Sequence, residues 1–257
     1  MVDQRVVHNS NPQIGADVER LLAGNYLVPR ISAGAKIPVG GSCFDRSSNI
    51  LCVIADTERP LQAIAKTIDR IEKLELGKIA EWLGKLKASI DTRIFAACYS
   101  FLEFTADLKD NSDAHFSFYT RPLSPNLSEI LDAKAAKCAE LAILGQLTLQ
   151  KMGFTSYYFG GGWLESRTHG FAEAHSFVVI TDRNDTYVWE VANPLETTGG
   201  LMPRILKMPP DFLQEMRSAR TNKFCVGTNI LDPTEKGIYG VIDGTSVQEA
   251  QILAEKH

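Results

Sequence analysis

A cysteine, a histidine and an asparagine are spaced along this chain in an order that could support nucleophilic chemistry. Cys138 lies in a helix-forming run, His175 opens a stretch of strand composition, and Asn193 closes the next such stretch. A cysteine nucleophile needs a base that accepts its proton and a polar residue that fixes the tautomer of the imidazole. The three residues therefore predict a catalytic triad in which Cys138 attacks, His175 transfers protons and Asn193 orients the ring.

The helix that carries Cys138 decides whether its thiol can be activated. Residues of high helix propensity run from Leu127 to Met152, and Gly153 is a natural stop. An unbroken helix would place Cys138 in its middle, where the thiol gains nothing from the helix dipole. A break between 132 and 137 would place Cys138 at a helix start, where a thiolate is favoured. Because of the residues downstream, we predict the break.

The histidine and its orienter lie on two stretches that predict a β-hairpin. Residues 175–181 and 186–192 are rich in β-branched and aromatic side chains, and a polar turn joins them. Such a hairpin would bring its second strand close to His175. Strand alternation puts Glu190 and Asn193 on opposite faces, so only one of them can point at the imidazole. We prefer Asn193 and keep Glu190 as the alternative.

The rest of the chain shows weaker patterns. Gly160 to Gly162 predict a flexible rim over the substrate cleft, with His169 on it. The remaining predicted elements are a short strand within 50–55, an amphipathic helix over 61–74, a second helix from 78 to as far as 108, a strand over 154–159, a short helix around Phe212, and a last helix from Thr245 to about 255.

Composition and charge limit the classes of protein to consider. The chain has 257 residues, of which 44% are hydrophobic and 23% charged, and this is typical of a folded globular protein. We expect a single domain over 1–257, with a mainly helical part over 1–125 and a catalytic core over 126–257. A net charge of -4 argues against a nucleic-acid or anionic-membrane surface.

The cysteines and the first residues indicate where the protein works. Five cysteines are scattered without a C-x-x-C pair or a Cys/His ligand spacing, so we expect reduced thiols rather than disulfides or a zinc site. The first nine residues lack the charged and apolar regions of a secretory signal, and no apolar run is long enough to span a membrane. We therefore expect a cytoplasmic protein, while export by a signal-independent route stays open.

Four segments carry a resemblance to a known superfamily. They are Lys137-Cys138-Ala139-Glu140-Leu141-Ala142, Met152-Gly153-Phe154, His175-Ser176-Phe177-Val178 and Trp189-Glu190-Val191-Ala192-Asn193-Pro194. Together they resemble the transglutaminase-like branch of the papain-like cysteine enzymes, in which a cysteine starts a helix, a histidine opens a strand and an acid or amide ends the next strand. The chain departs from that pattern at Ala136, where a glycine is frequent, and at Asn193, where an aspartate is usual.

The resemblance implies a fold and a reaction. The fold would be α+β, a papain-like core with an antiparallel sheet and a helical N-terminal half. The Cys138 thiolate would attack the carboxamide of a glutamine in a protein substrate, ammonia would leave, and the thioester would pass to water or to an amine. The backbone amide of Cys138 would help to bind the oxyanion. No metal or organic cofactor is implied, and a bacterial effector acting on a host protein would fit.

Three alternatives remain beside this hypothesis. A peptidase would use the same triad on a peptide bond. A non-catalytic scaffold on the same fold would bind a protein partner through the helices of 61–108. An arylamine acyltransferase would pair His175 with Glu190, and we rank it last because the glycines and the arginine that precede the cysteine in that family are absent here.

Overall fold

The computed structural model describes residues 27–39, 52–56, 58–73, 76–106, 112–119, 123–166, 171–218 and 224–240. The last predicted helix, from Thr245, lies outside these residues, as does His169. The helices are α1 (Glu58–Lys73), α2 (Leu76–Lys85), α3 (Thr92–Ala106), α4 (Ser112–Tyr119), α5 (Leu127–Asp132), α6 (Cys138–Lys151) and α7 (Phe212–Ser218). The strands are β1 (Leu27–Val28), β2 (Ala35–Pro38), β3 (Cys52–Ala55), β4 (Ser156–Ser166), β5 (Phe171–Asp182), β6 (Asp185–Thr197), β7 (Gly200–Lys207), β8 (Phe224–Asn229) and β9 (Lys236–Gly240).

Seven of the strands form one antiparallel sheet in the order β1-β4-β5-β6-β7-β8-β9. Strand β4 also pairs with β9, so the sheet curls until its two sides meet. Strands β2 and β3 form a separate antiparallel pair. Helices and a curled antiparallel sheet make the fold α+β, as the sequence predicted.

The two faces of the sheet are packed differently. Val178 and Trp189 lie in a core shared with the helices, and Trp189 packs edge-on against Phe101 of α3 with ring centroids 5.3 Å apart. Phe177 and Tyr239 lie in a second core that the curled sheet encloses, together with side chains of α7. The alternation of side chains along β5 and β6 explains the division, because neighbouring residues point to opposite faces.

Several predicted elements are confirmed. Helix α1 contains most of the predicted segment 61–74, and β3 lies within the predicted strand of 50–55. The hairpin is formed by β5 and β6, whose last pair is Asp182 with Asp185. The short helix around Phe212 is α7.

The predicted helix from 78 to 108 is wrong, because two helices occupy that segment. Lys87 has a φ of 55°, a left-handed conformation that ends α2. The carboxylate of Asp91 then accepts the backbone N–H of Arg93 at 2.7 Å and caps α3. The Asp91 N–H donates in turn to the Asp182 carboxylate of the hairpin turn at 2.7 Å. This contact with the sheet overrides the helix propensity of the segment.

The predicted glycine-rich rim is also wrong. Strand β4 runs through Gly160 to Gly162, and the register of its pairing with β5 shifts between Phe159 and Gly162. A Cβ atom at Gly160 would lie 2.6 Å from the Tyr158 ring, so the chain is too close there for any side chain. Gly160 therefore permits an irregular, tightly packed strand at this point rather than a loop.

Within the described segments, no helix combines the length and the apolar character needed to cross a membrane.

Candidate active site

Cys138 is the first residue of helix α6, as predicted. The preceding helix α5 ends at Asp132, and Lys134 then adopts a left-handed conformation with a φ of 53°. The N–H of Ala135 donates to the carbonyl of Ile130 at 3.0 Å, which closes the end of α5. One non-glycine residue in the left-handed region therefore breaks a stretch whose propensity is helical throughout.

The start of α6 is held by Glu140. Its carboxylate accepts the backbone N–H of Lys137 at 2.9 Å, and the carbonyl of Lys137 accepts the N–H of Leu141 at 3.0 Å. Glu140 is fully buried, so this cap is shielded from water. The N–H groups of the first turn, including that of Cys138, have no acceptor within the helix. Cys138 thus lies at the positive end of the helix dipole.

His175 connects Cys138 to a buried carboxylate. The Nε2 atom of His175 lies 2.6 Å from Oε2 of Glu190, and the two side chains are only 3% and 0% exposed. Cys138 lies close enough to the same imidazole to help raise the pKa of His175. Because Glu190 occupies Nε2, Nδ1 is the nitrogen that remains for the thiol. Thiol, imidazole and carboxylate therefore lie next to one another in this order.

The contact between His175 and Glu190 corrects the choice of orienting residue. We preferred Asn193, but the carboxylate that bonds His175 is the alternative, Glu190. Asn193 lies three positions further along β6 and is half-buried. Phe177 faces the enclosed core, and His175 lies two residues before it with the ring centroids 6.2 Å apart. Trp189 faces the helices, so alternation turns Glu190 to the enclosed side.

The electrostatics of the pair favour two opposite charges. Burial alone would lower the pKa of His175, but the Glu190 carboxylate and the neighbouring Cys138 outweigh it and hold this pKa well above its usual value. Burial alone would raise the pKa of Glu190, but His175 and the guanidinium of Arg204 keep it below its usual value. We therefore describe the pair as imidazolium and carboxylate at neutral pH.

Two further residues surround Glu190. The Tyr239 hydroxyl donates to Oε1 of Glu190 at 2.9 Å, and burial together with Glu190 raises the pKa of Tyr239 well above its usual value. Arg204 is the cross-strand partner of Glu190 on β7, and its Nε lies 2.6 Å from Oε1 of Glu235. That Nε lacks hydrogen-bond geometry, so we describe the Arg204–Glu235 contact as an ion pair.

Arg204, Tyr239 and Glu235 are not among the site residues predicted from the sequence. A usable signal existed for Arg204, because it is a charged residue directly before the apolar pair Ile205 and Leu206 in a strand. A charge inside an apolar strand needs a buried partner. Tyr239 carries no such signal, since a tyrosine in a strand is ordinary.

A shallow groove of about 510 Å³ is lined by residues other than those of the candidate site. It is formed by Lys73, Lys78, Ile79, Trp82, Phe95, Tyr99 and Met202, and so by α1, α2, α3 and β7. Trp82 and Tyr99 are 37% and 40% exposed. In the part of the chain that the structure describes, no cluster of three or more His, Cys, Asp and Glu residues is arranged to hold a metal ion.

Comparison of the chain with protein-family models, with curated proteins and with solved structures finds no match.

Proposed function

We propose that this chain is a cysteine-dependent acyl-transfer enzyme of the transglutaminase-like type, acting on a glutamine carboxamide of a protein. One observation carries the proposal: a partly exposed cysteine at a helix start lies beside a buried histidine, and Nε2 of that histidine is bonded to a buried carboxylate. These are the nucleophile, the base and the orienting residue that acyl transfer through a thioester requires. In this proposal the catalytic triad is Cys138, His175 and Glu190, and Glu190 replaces Asn193, the third residue that the resemblance implies.

The first half of the reaction forms the thioester. The Cys138 sulfur attacks the carboxamide carbon, and the negative charge moves to the carbonyl oxygen, which the Cys138 backbone N–H can stabilise. His175, as imidazolium, donates its Nδ1 proton to the departing nitrogen, the carbon–nitrogen bond breaks, and ammonia leaves. Glu190 keeps its hydrogen bond to Nε2, so the proton transferred is the one on the side of the thiol.

The second half releases the acyl group. The imidazole of His175 is now neutral, with no proton on Nδ1. This nitrogen takes a proton from a water molecule or from the amine of a second substrate. The resulting nucleophile attacks the thioester carbon, and the carbon–sulfur bond breaks. Sulfur leaves as the thiolate, and the imidazolium is restored. Water gives a glutamate side chain and thus deamidation, whereas an amine gives a cross-link.

Two covalent probes test the proposal against the peptidase alternative. A peptide with diazo-oxo-norleucine at the glutamine position presents a reactive carbon where the carboxamide would bind. An epoxysuccinyl peptide presents one where a scissile peptide bond would bind. We expect the first probe to label Cys138 and the label to disappear in His175→Ala, with ammonia released from glutamine peptides by the wild type only. Labelling by the epoxysuccinyl peptide alone would establish a peptidase instead.

One observation favours the non-catalytic alternative. The groove lined by Trp82 and Tyr99 lies on the helices that a protein-binding scaffold would use. That alternative requires a Cys138 that is buried and distant from His175, whereas Cys138 is partly exposed and lies beside His175. Failure of both probes, with Cys138 no more reactive than the buried Cys98, would leave the scaffold as the better description.

A further inference from the structure

Both oxygens of the Glu190 carboxylate are occupied, and only one of them serves His175. The other, Oε1, accepts the hydrogen bond of the Tyr239 hydroxyl at 2.9 Å. The Tyr239 ring packs edge-on against Phe177 with centroids 5.1 Å apart, and against Phe212 at 6.5 Å. These contacts hold the ring in the enclosed core, so the direction of the hydroxyl toward Glu190 is built into the packing.

Arg204 approaches the same carboxylate from the next strand. It lies directly opposite Glu190 in the β6–β7 pairing and is 3% exposed. On its other side, Arg204 is paired with Glu235, whose carboxylate also accepts the side-chain amide of Asn229. His175, Glu190 and Arg204 are buried and Glu235 is partly buried, so the four residues form a row of alternating charges that leads into the protein. In an interior of low dielectric, each charge stabilises its neighbours far more than it would in water.

We infer that Tyr239 and Arg204 are positioning residues of the site: they hold the Glu190 carboxylate charged and turned toward His175, so that the ring presents its other nitrogen to Cys138. A buried carboxylate without such partners would bind a proton. A neutral Glu190 would no longer attract an imidazolium, and the proton that acyl transfer needs would be missing from His175. The inference rests on the proposed function in this one respect, that His175 serves the Cys138 thiol.

The groups that face this carboxylate determine how it titrates. They are His175 from β5, Arg204 from β7 and Tyr239 from β9, with Cys138 on the far side of the imidazole and Glu235 beyond the guanidinium. Removal of the Tyr239 hydroxyl takes one donor from Oε1 and leaves the other groups in place. Glu190 then accepts a proton more readily, and the pH below which the site is inactive rises.

The test compares two tyrosine variants. Tyr239→Phe keeps the ring and removes the hydroxyl bonded to Glu190. Tyr187→Phe is the matched control, because its hydroxyl lies 2.8 Å from Ser89 and contacts the hairpin turn instead. The rate of Cys138 alkylation is measured against pH, and ¹³C NMR follows the Glu190 carboxyl signal, assigned by its absence in Glu190→Gln.

We expect the acid limb of Cys138 alkylation and the Glu190 titration to move up together by about one pH unit in Tyr239→Phe, since one hydrogen bond to a charged group has that effect. Tyr187→Phe should match the wild type. Arg204→Met should move both further, and Arg204→Lys, which keeps the charge, should move them less. If Arg204→Met does not fold, the pH curves of Tyr239→Phe and Arg204→Lys test the positioning role instead.

Two failures can be told apart. If alkylation of Cys138 depends on His175 but Tyr239→Phe leaves both curves at their wild-type positions, the positioning role is overturned and the proposed function stands. If Cys138 is alkylated at the same rate in the wild type and in His175→Ala, the proposed function fails. The NMR titration of Glu190 still decides whether Tyr239 and Arg204 keep that carboxylate charged.

Discussion

The Nε2 atom of His175 and the Oε2 atom of Glu190 lie 2.6 Å apart on neighbouring strands of the curled sheet. Both side chains are almost inaccessible to solvent, and the thiol of Cys138 reaches the same imidazole from the start of a helix. A buried ion pair of this kind has a high desolvation cost and persists only when further partners satisfy it. Four predictions follow from this geometry and from the packing that supports it.

Alkylation of Cys138 by iodoacetamide should depend on His175. The thiol lies at the start of α6 beside the buried imidazole, so we expect its alkylation to be several-fold faster in the wild type than in His175→Ala. Cys52 is an internal control, because it is also partly exposed but burial raises its pKa to about 11. Site-resolved mass spectrometry measures both rates. Equal rates for Cys138 in the wild type and in His175→Ala would contradict the pairing.

Glu190, rather than Asn193, should orient His175. In Glu190→Gln the imidazolium loses its carboxylate, and we expect the rate of acyl transfer to fall by about 10²-fold or more. Asn193→Ala should stay within about twofold of the wild type, as is usual for a substitution away from buried networks. The rate of ammonia release from a glutamine peptide measures both variants. A larger loss in Asn193→Ala than in Glu190→Gln would restore the original assignment.

The His175–Glu190 pair should give stability a defined pH dependence. Since the folded pKa of His175 is raised, its contribution is complete below its unfolded pKa of about 6.5 and is lost as pH rises through the folded value. Since the folded pKa of Glu190 is lowered, its contribution is complete above about 4.3 and is lost as pH falls through the folded value. The two windows overlap between about pH 4.3 and 6.5.

Urea unfolding across pH checks this dependence. The free energy of unfolding of the wild type, minus that of a His175→Phe/Glu190→Leu double variant, should be greatest in the overlap and should decline on both sides. The difference can have either sign, because an apolar pair can equal a buried ion pair in stability; only its change with pH tests the pair. A difference that is constant from pH 4 to 9 would show that the residues do not titrate as a pair.

Two glycine substitutions should have opposite effects on stability. A Cβ at Gly145 of α6 would lie 3.0 Å from the Trp189 ring and 3.2 Å from Val191, whereas a Cβ at Gly84 of α2 would meet nothing within 4 Å. Gly84→Ala should stabilise by up to about 1 kcal/mol through helix propensity. Gly145→Ala should destabilise by about 1–3 kcal/mol, because Trp189 is held against Phe101 and cannot yield.

Thermal or chemical denaturation measures this pair. The two variants make the same chemical change in a helix, so a difference in sign isolates the packing of α6 on β6. Stabilisation by Gly145→Ala similar to that by Gly84→Ala would mean that the helix and the sheet can separate slightly at no cost.

Patterns among residues close in sequence were sufficient to predict several helices and strands of the fold. The helix of 58–73, the hairpin of β5 and β6, and the strand β3 follow from periodicity and from a polar turn, because each is decided by residues close in sequence. The order of the residues also predicted that Cys138 starts a helix and that the next strand supplies the partner of His175, although the preferred partner was Asn193 and the observed one is Glu190. The start of a helix at Cys138 followed from the chemistry downstream, against the local propensity.

Long-range contacts decided the rest. The break between α2 and α3 depends on Asp182, and the course of β4 through its glycines depends on pairing with β5 and β9. The choice of Glu190 over Asn193 depends on which face of β6 the sheet encloses. Arg204 lies opposite Glu190 because β6 pairs with β7, and Tyr239 reaches Glu190 because the sheet curls until β9 meets β4. Residue types and their order thus indicate the chemistry, whereas the burial and charge of the site depend on strands that pair far along the chain.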